Sequence, residues 1–205
     1  MSGKRSKRRV NALLVGGTLL IELDNAFKAI EELSAACRYI VALAPARKRL
    51  ELHAVCNGAY KMFSRMFDEA RQKLEDVLYE LNSMALGACP CHDDLPNYVL
   101  ENVAELRAVA DRIASILERY ATTVRGIARR LPFIIRLFNR KRLEVHVNKY
   151  IEMASVDAKV LREDARVVAD MLLKIALAEC VGRCAVKRAL AELAAKKRSE
   201  MKEEG

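Results

Sequence analysis

Residues 97–130 read NYVLENVAELRAVADRIASILERYATTVRGIARR. Apolar side chains recur along this stretch at every third or fourth position, at Val103, Leu106, Ala110, Ile113, Leu117, Tyr120, Val124 and Ile127. Because an α-helix turns once in about 3.6 residues, this spacing puts all of them on one face. The stretch therefore predicts one long amphipathic helix whose apolar stripe packs against other helices at a shallow angle.

Three other segments carry a similar stripe. The first contains Leu23, Phe27, Ile30, Ser34, Cys37 and Val41; the second contains Phe63, Phe67, Ala70, Leu74, Val77 and Leu81; the third contains Ile151, Ala154, Ala158, Leu161, Ala165, Val168, Leu172 and Ile175. Pro45, the polar stretch 87–96 and Pro132 separate the four segments. Proline and glycine end helices, so we predict helices at 11–44, 47–86, 97–130 and 133–198, the last bent or broken near 139–142.

The predicted fold class is all-α, an elongated bundle of about four long amphipathic helices with a basic N-terminal arm. Gly16 and Gly17 mark the end of that arm. We expect the arm at residues 1–15, a helical domain at 16–200 and a charged C-terminal tail at 201–205.

The chain of 205 residues has a formal net charge of +9, from 36 Lys and Arg against 27 Asp and Glu. Such an excess attracts polyanions, either nucleic acid or an anionic lipid surface. The apolar run Ala12–Ile21 spans only about ten residues, whereas a bilayer requires about 20. No small-residue cleavage site follows the run, so we expect neither a cleaved signal nor a membrane span, and a location in a virion or inside a cell.

Two stretches hold most of the excess charge. The candidate nucleic-acid-binding residues are Lys4, Arg5, Lys7, Arg8, Arg9, Arg125, Arg129, Arg130, Arg136, Arg140, Lys141, Arg142 and Lys149. Arginine dominates the second stretch, and its guanidinium can donate two hydrogen bonds to one phosphate. Aromatic residues near the clusters are few, so we expect contacts with the nucleic-acid backbone that are independent of sequence, and not stacking on bases.

Six cysteines are present: Cys37, Cys56, Cys89, Cys91, Cys180 and Cys184. A hairpin centred near Pro45 would place Cys37 opposite Cys56, at a distance that suits a disulfide; alternatively, both are small apolar residues of the core. The other four could join the 87–96 loop to the last helix by disulfides, bind zinc as two loop and two helix ligands, or remain thiols. Disulfides in a chain without a signal peptide, together with abundant Lys, Arg and Glu, are typical of intracellular proteins from hyperthermophiles.

No catalytic triad, glycine-rich phosphate loop or metal-binding motif is visible, so we expect no enzyme activity, no catalytic residue, no cofactor, no metal and no small-molecule substrate. One alternative remains open. Arg140 and His146 resemble the spaced Arg and His of HEPN-type helical ribonucleases, in which such a pair handles the scissile phosphate. Another alternative is a small helical subunit of a nucleic-acid-guided effector complex.

The basic arm Lys4–Arg9, the long helices with few loops and the Arg-rich turn at 129–142 together resemble the helical capsid proteins of filamentous viruses that infect hyperthermophilic archaea. The resemblance is one of organisation, and no residue role is transferred. It implies long helices that wrap linear double-stranded DNA, and subunits that pair and stack into a filament. The sequence therefore predicts a structural protein that coats nucleic acid, with double-stranded DNA favoured, and that associates with itself or with a homologous subunit.

Overall fold

The computed structural model describes the backbone of residues 2–89 and 95–203 and the side chains of residues 16–89 and 95–193. Within these residues every regular element is helical, and the all-α prediction is confirmed. The elements are α1 (Ser2–Leu43), α2 (Ala46–Ala85), α3 (Leu95–Arg129), α4 (Phe133–Phe138), α5 (Arg140–Leu143), a π-helical turn (Glu144–Asn148) and α6 (Lys149–Glu203). The predicted break near 139–142 is confirmed, because α4 ends at Phe138 and α5 begins at Arg140.

The first helix begins earlier than the sequence predicted. We expected a start near residue 11, but α1 is helical from Ser2, so it includes the backbone of residues 2–15. The last helix likewise continues to Glu203 and passes the predicted end at residue 198. Lys, Arg, Ala and Glu are good helix formers, and they allow both terminal segments to continue a helix that the bundle has already nucleated.

Successive long helices run antiparallel. Cys37 of α1 is bonded to Cys56 of α2, and Phe63 of α2 stacks on Tyr120 of α3 with ring centroids 4.9 Å apart. Arg162 of α6 donates to Asp111 of α3. In an antiparallel bundle the turns alternate between the two ends. The turn at 44–45 and the segment 130–148 therefore share one end, and residues 86–89, after α2, lie at the other.

The predicted stripes form the core. Every residue of the stripe on α3 is at most 3% exposed, and the stripe on α2 is buried throughout. The prediction was wrong at Phe27, which is 39% exposed and reaches only the margin of the core, where its ring lies 6.0 Å from that of Phe67. Ile175 on α6 is half-buried. One continuous apolar core along the bundle axis therefore holds the long helices together.

Disulfides join the helices at two levels. Cys37 and Cys56 are bonded with their Cα atoms 5.8 Å apart, which confirms the pairing predicted from the hairpin. Cys89, in the loop after α2, is bonded to Cys180 of α6. Cys184 is also disulfide-bonded, and Cys91 lies outside the described residues. Of the alternatives that the sequence left open for these cysteines, a disulfide between this loop and the last helix is the one present.

The loop after α2 depends on a glycine. Gly87 has a φ of 93°, a left-handed conformation that side chains disfavour and that commonly ends helices. A Cβ atom at this position would lie 2.4 Å from Cζ of Arg183. The Arg183 guanidinium donates instead to the Gly87 carbonyl oxygen at 2.7 Å and holds the end of α2 against α6.

Several cations in the middle of the bundle are paired with acids. Arg162 donates to Asp111 at 2.7 Å and to Glu118 at 2.8 Å. The hydrogen bonding from Arg162 to Glu118 holds the pKa of the Glu118 carboxyl below its usual value. Similar pairs join helices elsewhere: Lys73–Glu105, Arg107–Asp170 and Arg71–Asp24. The bundle therefore has acids within reach of its cations over most of its length.

In the part of the chain that the structure describes, no helix combines the length and the hydropathy that crossing a bilayer requires.

Tyr120 makes the stability of the bundle sensitive to alkali. Its side chain is fully buried, and this burial raises its pKa to about 12. Because the folded-state pKa lies above the unfolded value of about 10, the stabilisation is complete below pH 10 and is lost as the pH rises through 12. We expect the wild type to lose about 2–3 kcal/mol more unfolding free energy than Tyr120→Phe over that range.

Urea unfolding followed by circular dichroism at a series of alkaline pH values measures this difference. The lysines and other tyrosines titrate alike in both proteins, so their effect cancels. If the free energies of unfolding of the two proteins fall in parallel with pH, the pKa of Tyr120 is the same in the folded and unfolded states, and the prediction is wrong.

Candidate nucleic-acid interface

The two turns at one end of the bundle bring many cations together. We define the basic end as residues 44–51 and 125–149. It contains eleven Lys and Arg residues and two acids, Glu51 and Glu144. Its formal charge of +9 equals that of the whole chain, so the remaining residues are neutral in sum.

Local sequence explains how the segment after α3 folds across this end. Pro132 has no backbone N–H and fixes its own φ, so it ends the run of α3 and starts α4. Asn139 ends α4, with its backbone N–H and its side-chain amide both donating to the carbonyl oxygen of Ile135 at 3.0 Å. The following π-helical turn buries Val147 and presses the His146 ring onto Tyr39 of α1, with centroids 4.7 Å apart.

The cations predicted from residues 125–149 are all exposed. The eight are Arg125, Arg129, Arg130, Arg136, Arg140, Lys141, Arg142 and Lys149. Among the described residues only Arg130 of this set has an acidic partner, Glu51, and the two atoms are 3.9 Å apart on exposed side chains. Exposed pairs of this kind contribute little stability. Seven of the eight positive charges thus have no acid partner among the residues whose side chains the structure describes.

Three further cations belong to the basic end and were missed from the sequence. Arg47, Lys48 and Arg49 begin α2 and are exposed, and the Arg49 guanidinium donates to the Ala44 carbonyl oxygen at 3.3 Å. These three cations could have been predicted from the antiparallel order of the helices. In an up-and-down bundle the first and third turns lie at the same end, so the residues after Pro45 join those around Pro132.

The arm and the 125–149 cluster do not come together. Residues 2–9 and Leu43 lie at opposite ends of α1, about 50 Å apart at 1.5 Å per residue. The predicted arm residues Lys4, Arg5, Lys7, Arg8 and Arg9 have side chains outside the described residues. A polyanion that contacts both regions must therefore extend along the length of the bundle or bind at its two ends separately.

The ribonuclease alternative depends on Arg140 and His146, which are both exposed. No hydrogen bond or ion pair joins them in the part of the chain described, and His146 packs its ring on Tyr39. The zinc alternative would need thiolates at Cys89 and Cys180, but these two sulfurs are bonded to each other. Cys91 and His92 lie outside the described residues.

The chemistry available at the basic end is the binding of a polyanion. Apart from Arg49 and Arg130, its guanidinium and ammonium groups have no hydrogen-bond or ion-pair partner among the described residues, and the cations come from α2, α3, α4, α5 and α6 and from Arg130. Arg129 also lies in the last turn of α3, where the helix dipole favours a cation. Compared with protein-family models, with curated proteins and with solved structures, the chain shows no match.

Proposed function

We propose that this chain is a structural protein that coats double-stranded DNA through phosphate contacts, as a self-assembling subunit of a viral nucleoprotein. One observation carries the proposal: among the described residues, seven exposed cations of residues 125–149 lack an acidic partner, whereas Arg71, Lys73, Arg107 and Arg162 reach acids of neighbouring helices. Like charges concentrated at one end repel each other, and an external polyanion relieves that repulsion.

Phosphate is the group that these side chains fit best. Arginine offers parallel N–H donors that match two phosphate oxygens, and most cations of the basic end are arginines. The charges are spread over the ends of several helices and are not aligned on one helix that could enter a groove. Contacts of this kind fix the protein on the backbone without reading bases.

Self-association has support on α6. A second stripe of apolar residues lies outside the core on this helix, at Met153, Val156, Val167 and Met171, which are all exposed. Their spacing of three, eleven and four residues keeps them near one face of the helix. Exposed apolar stripes on long helices are typical of faces that pack against another helix.

The salt dependence of duplex binding tests the proposal. Fluorescence anisotropy with a labelled DNA duplex should give a log–log slope of affinity against salt near −6 if about seven phosphates are contacted by the basic end, and near −11 if the five cations of the arm contact phosphates as well. Duplexes of unrelated sequence should bind equally well. A slope close to zero, or strong preference for one sequence, would contradict phosphate-directed coating. Electron microscopy of protein mixed with long duplex DNA then tests assembly, with filaments as the expected result.

Removal of residues 1–9 tests the contribution of the arm. Five cations are lost, and if all of them contact phosphates the slope should become less steep by about four. Because the basic end lies about 50 Å away, the deletion should leave its share of the slope intact. An unchanged slope would show that the arm does not touch the DNA.

A further inference from the structure

Helix α4 exposes a compact apolar surface that the core does not use. We define the apolar tip as Phe133, Ile134, Leu137 and Phe138, which are 69%, 66%, 56% and 83% exposed. None of the six residues of α4 is buried. Large apolar side chains gathered in this way on an otherwise charged surface mark a binding site more often than chance exposure does.

The four side chains share one face of α4. At 100° per residue, positions 133, 134, 137 and 138 fall within an arc of about 140°. Ile135 points to the opposite side and is half-buried against the protein. The tip is therefore directed away from the bundle as a single surface, and it is not the exposed margin of the core.

Cations lie before, within and after the apolar tip in the sequence. Arg129 and Arg130 precede α4, Arg136 lies within it, and the run Arg140–Arg142 follows it. The exposed guanidinium and ammonium groups of these residues lie within one or two helical turns of the apolar face. The occupant of this surface must therefore accept apolar side chains and carry negative charge.

A second copy of the chain would supply the apolar contact but not the negative charge. Two tips packed together would bring two sets of arginines within a few ångströms, where salt screens repulsion weakly. A DNA duplex supplies the negative charge but not the apolar contact, because its outer surface offers phosphates and no apolar layer unless base pairs are unstacked. An anionic bilayer offers both, with charged headgroups above an apolar interior.

We propose that the apolar tip and its flanking cations dock the basic end onto an anionic lipid bilayer. Phe133, Ile134, Leu137 and Phe138 enter the boundary between headgroups and acyl chains, while Arg136, Arg140, Lys141 and Arg142 contact the phosphates above it. Binding is peripheral, and it does not depend on DNA binding. DNA and bilayer compete for the same cations, so each should displace the other.

Vesicle sedimentation with the full chain tests this docking. Vesicles of phosphatidylglycerol and phosphatidylcholine in equal parts should bind the protein, and vesicles of phosphatidylcholine alone should not. The Phe133→Ser/Phe138→Ser variant should bind the anionic vesicles at least about tenfold more weakly, because the apolar area that enters the bilayer is lost. Leu190→Ser/Leu193→Ser is the matched control, since these α6 residues are 61% and 64% exposed and lie outside the tip, and its binding should equal that of the wild type.

The same proteins separate this inference from DNA coating. The Phe133→Ser/Phe138→Ser variant should keep its duplex affinity within about twofold, because phosphate contacts come from the cations. Absence of binding to anionic vesicles, or equal binding by this variant and the wild type, would overturn the docking proposal. Loss of duplex affinity in this variant would also overturn it and would assign the tip to DNA. A smaller assembly on gel filtration than that of the wild type would overturn it too, and would assign the tip to self-association. Failure of duplex binding with vesicle binding intact would instead reject DNA coating alone.

Discussion

Replacement of Arg125, Arg129 and Lys149 by glutamine should weaken binding to duplex DNA by about 100-fold to 1,000-fold at about 0.1 M salt. The three cations are exposed at the basic end and have no acidic partner among the described residues. Each phosphate contact releases about one counterion, so the loss of three should also reduce the log–log salt slope by about three. Fluorescence anisotropy over a range of salt concentrations measures both quantities.

A matched variant removes the same charge elsewhere. Lys61, Arg112 and Arg166 are exposed on α2, α3 and α6, along the middle of the bundle. Their replacement by glutamine lowers the net charge equally but leaves the basic end unchanged. We expect the affinity to fall by less than about tenfold, through the weakened long-range field alone. Equal losses in the two variants would mean that net charge attracts the DNA and that no defined interface exists.

Full reduction of the disulfides should destabilise the protein more than any single substitution described above. The Cys37–Cys56 bond joins residues 19 apart, and the Cys89–Cys180 bond joins residues 91 apart. Loop-closure entropy assigns about 3 kcal/mol to the first and about 4–5 kcal/mol to the second. Their combined loss approaches the whole stability of many domains, so Tm should fall by at least about 15 °C in the presence of a reductant.

The Cys37→Ala/Cys56→Ala variant, kept oxidised, isolates the shorter loop. It should lose about 3 kcal/mol of unfolding free energy, well below the loss of the reduced wild type. Thermal unfolding followed by circular dichroism gives both values, and a thiol assay before reduction checks that no cysteine is free. If the reductant leaves Tm unchanged, the bonds do not stabilise the fold in solution.

Periodicity predicted the long helices well because it is a local property. The stripe from Val103 to Ile127 needs no knowledge of the partner helices to be recognised, and each of its members is buried. Phe27 shows where the method fails. A repeat close to seven residues drifts around a helix of 3.6 residues per turn, so some members of a stripe reach the margin of the core. Only the neighbouring helices decide which ones.

The same limit applies to the exposed surfaces. The run FIIRLF at 133–138 is apolar in sequence, and only the packing shows that no other element covers it. The π-helical turn that follows adds a residue to one helical turn, which no spacing rule locates.

The Cys37–Cys56 bond could be predicted because a short hairpin fixes which residues face each other. The partner of Cys180 could not be predicted from the sequence, because it depends on the path of the loop after α2, which no sequence pattern gives.

The position of the charge has a consequence for how the molecule meets its partner. The basic end carries a formal charge of +9, and residues 1–9 carry +5 about 50 Å away, so the remaining residues are net negative. Because the two ends of a bundle whose α2 alone is about 60 Å long are unequally charged, the protein has a permanent electric dipole along its axis. In the field of a polyanion this dipole experiences a torque before any contact forms. At low ionic strength the protein should therefore approach the polyanion end-on from several nanometres away. Added salt screens the field, so the orientation of the approaching protein should become random.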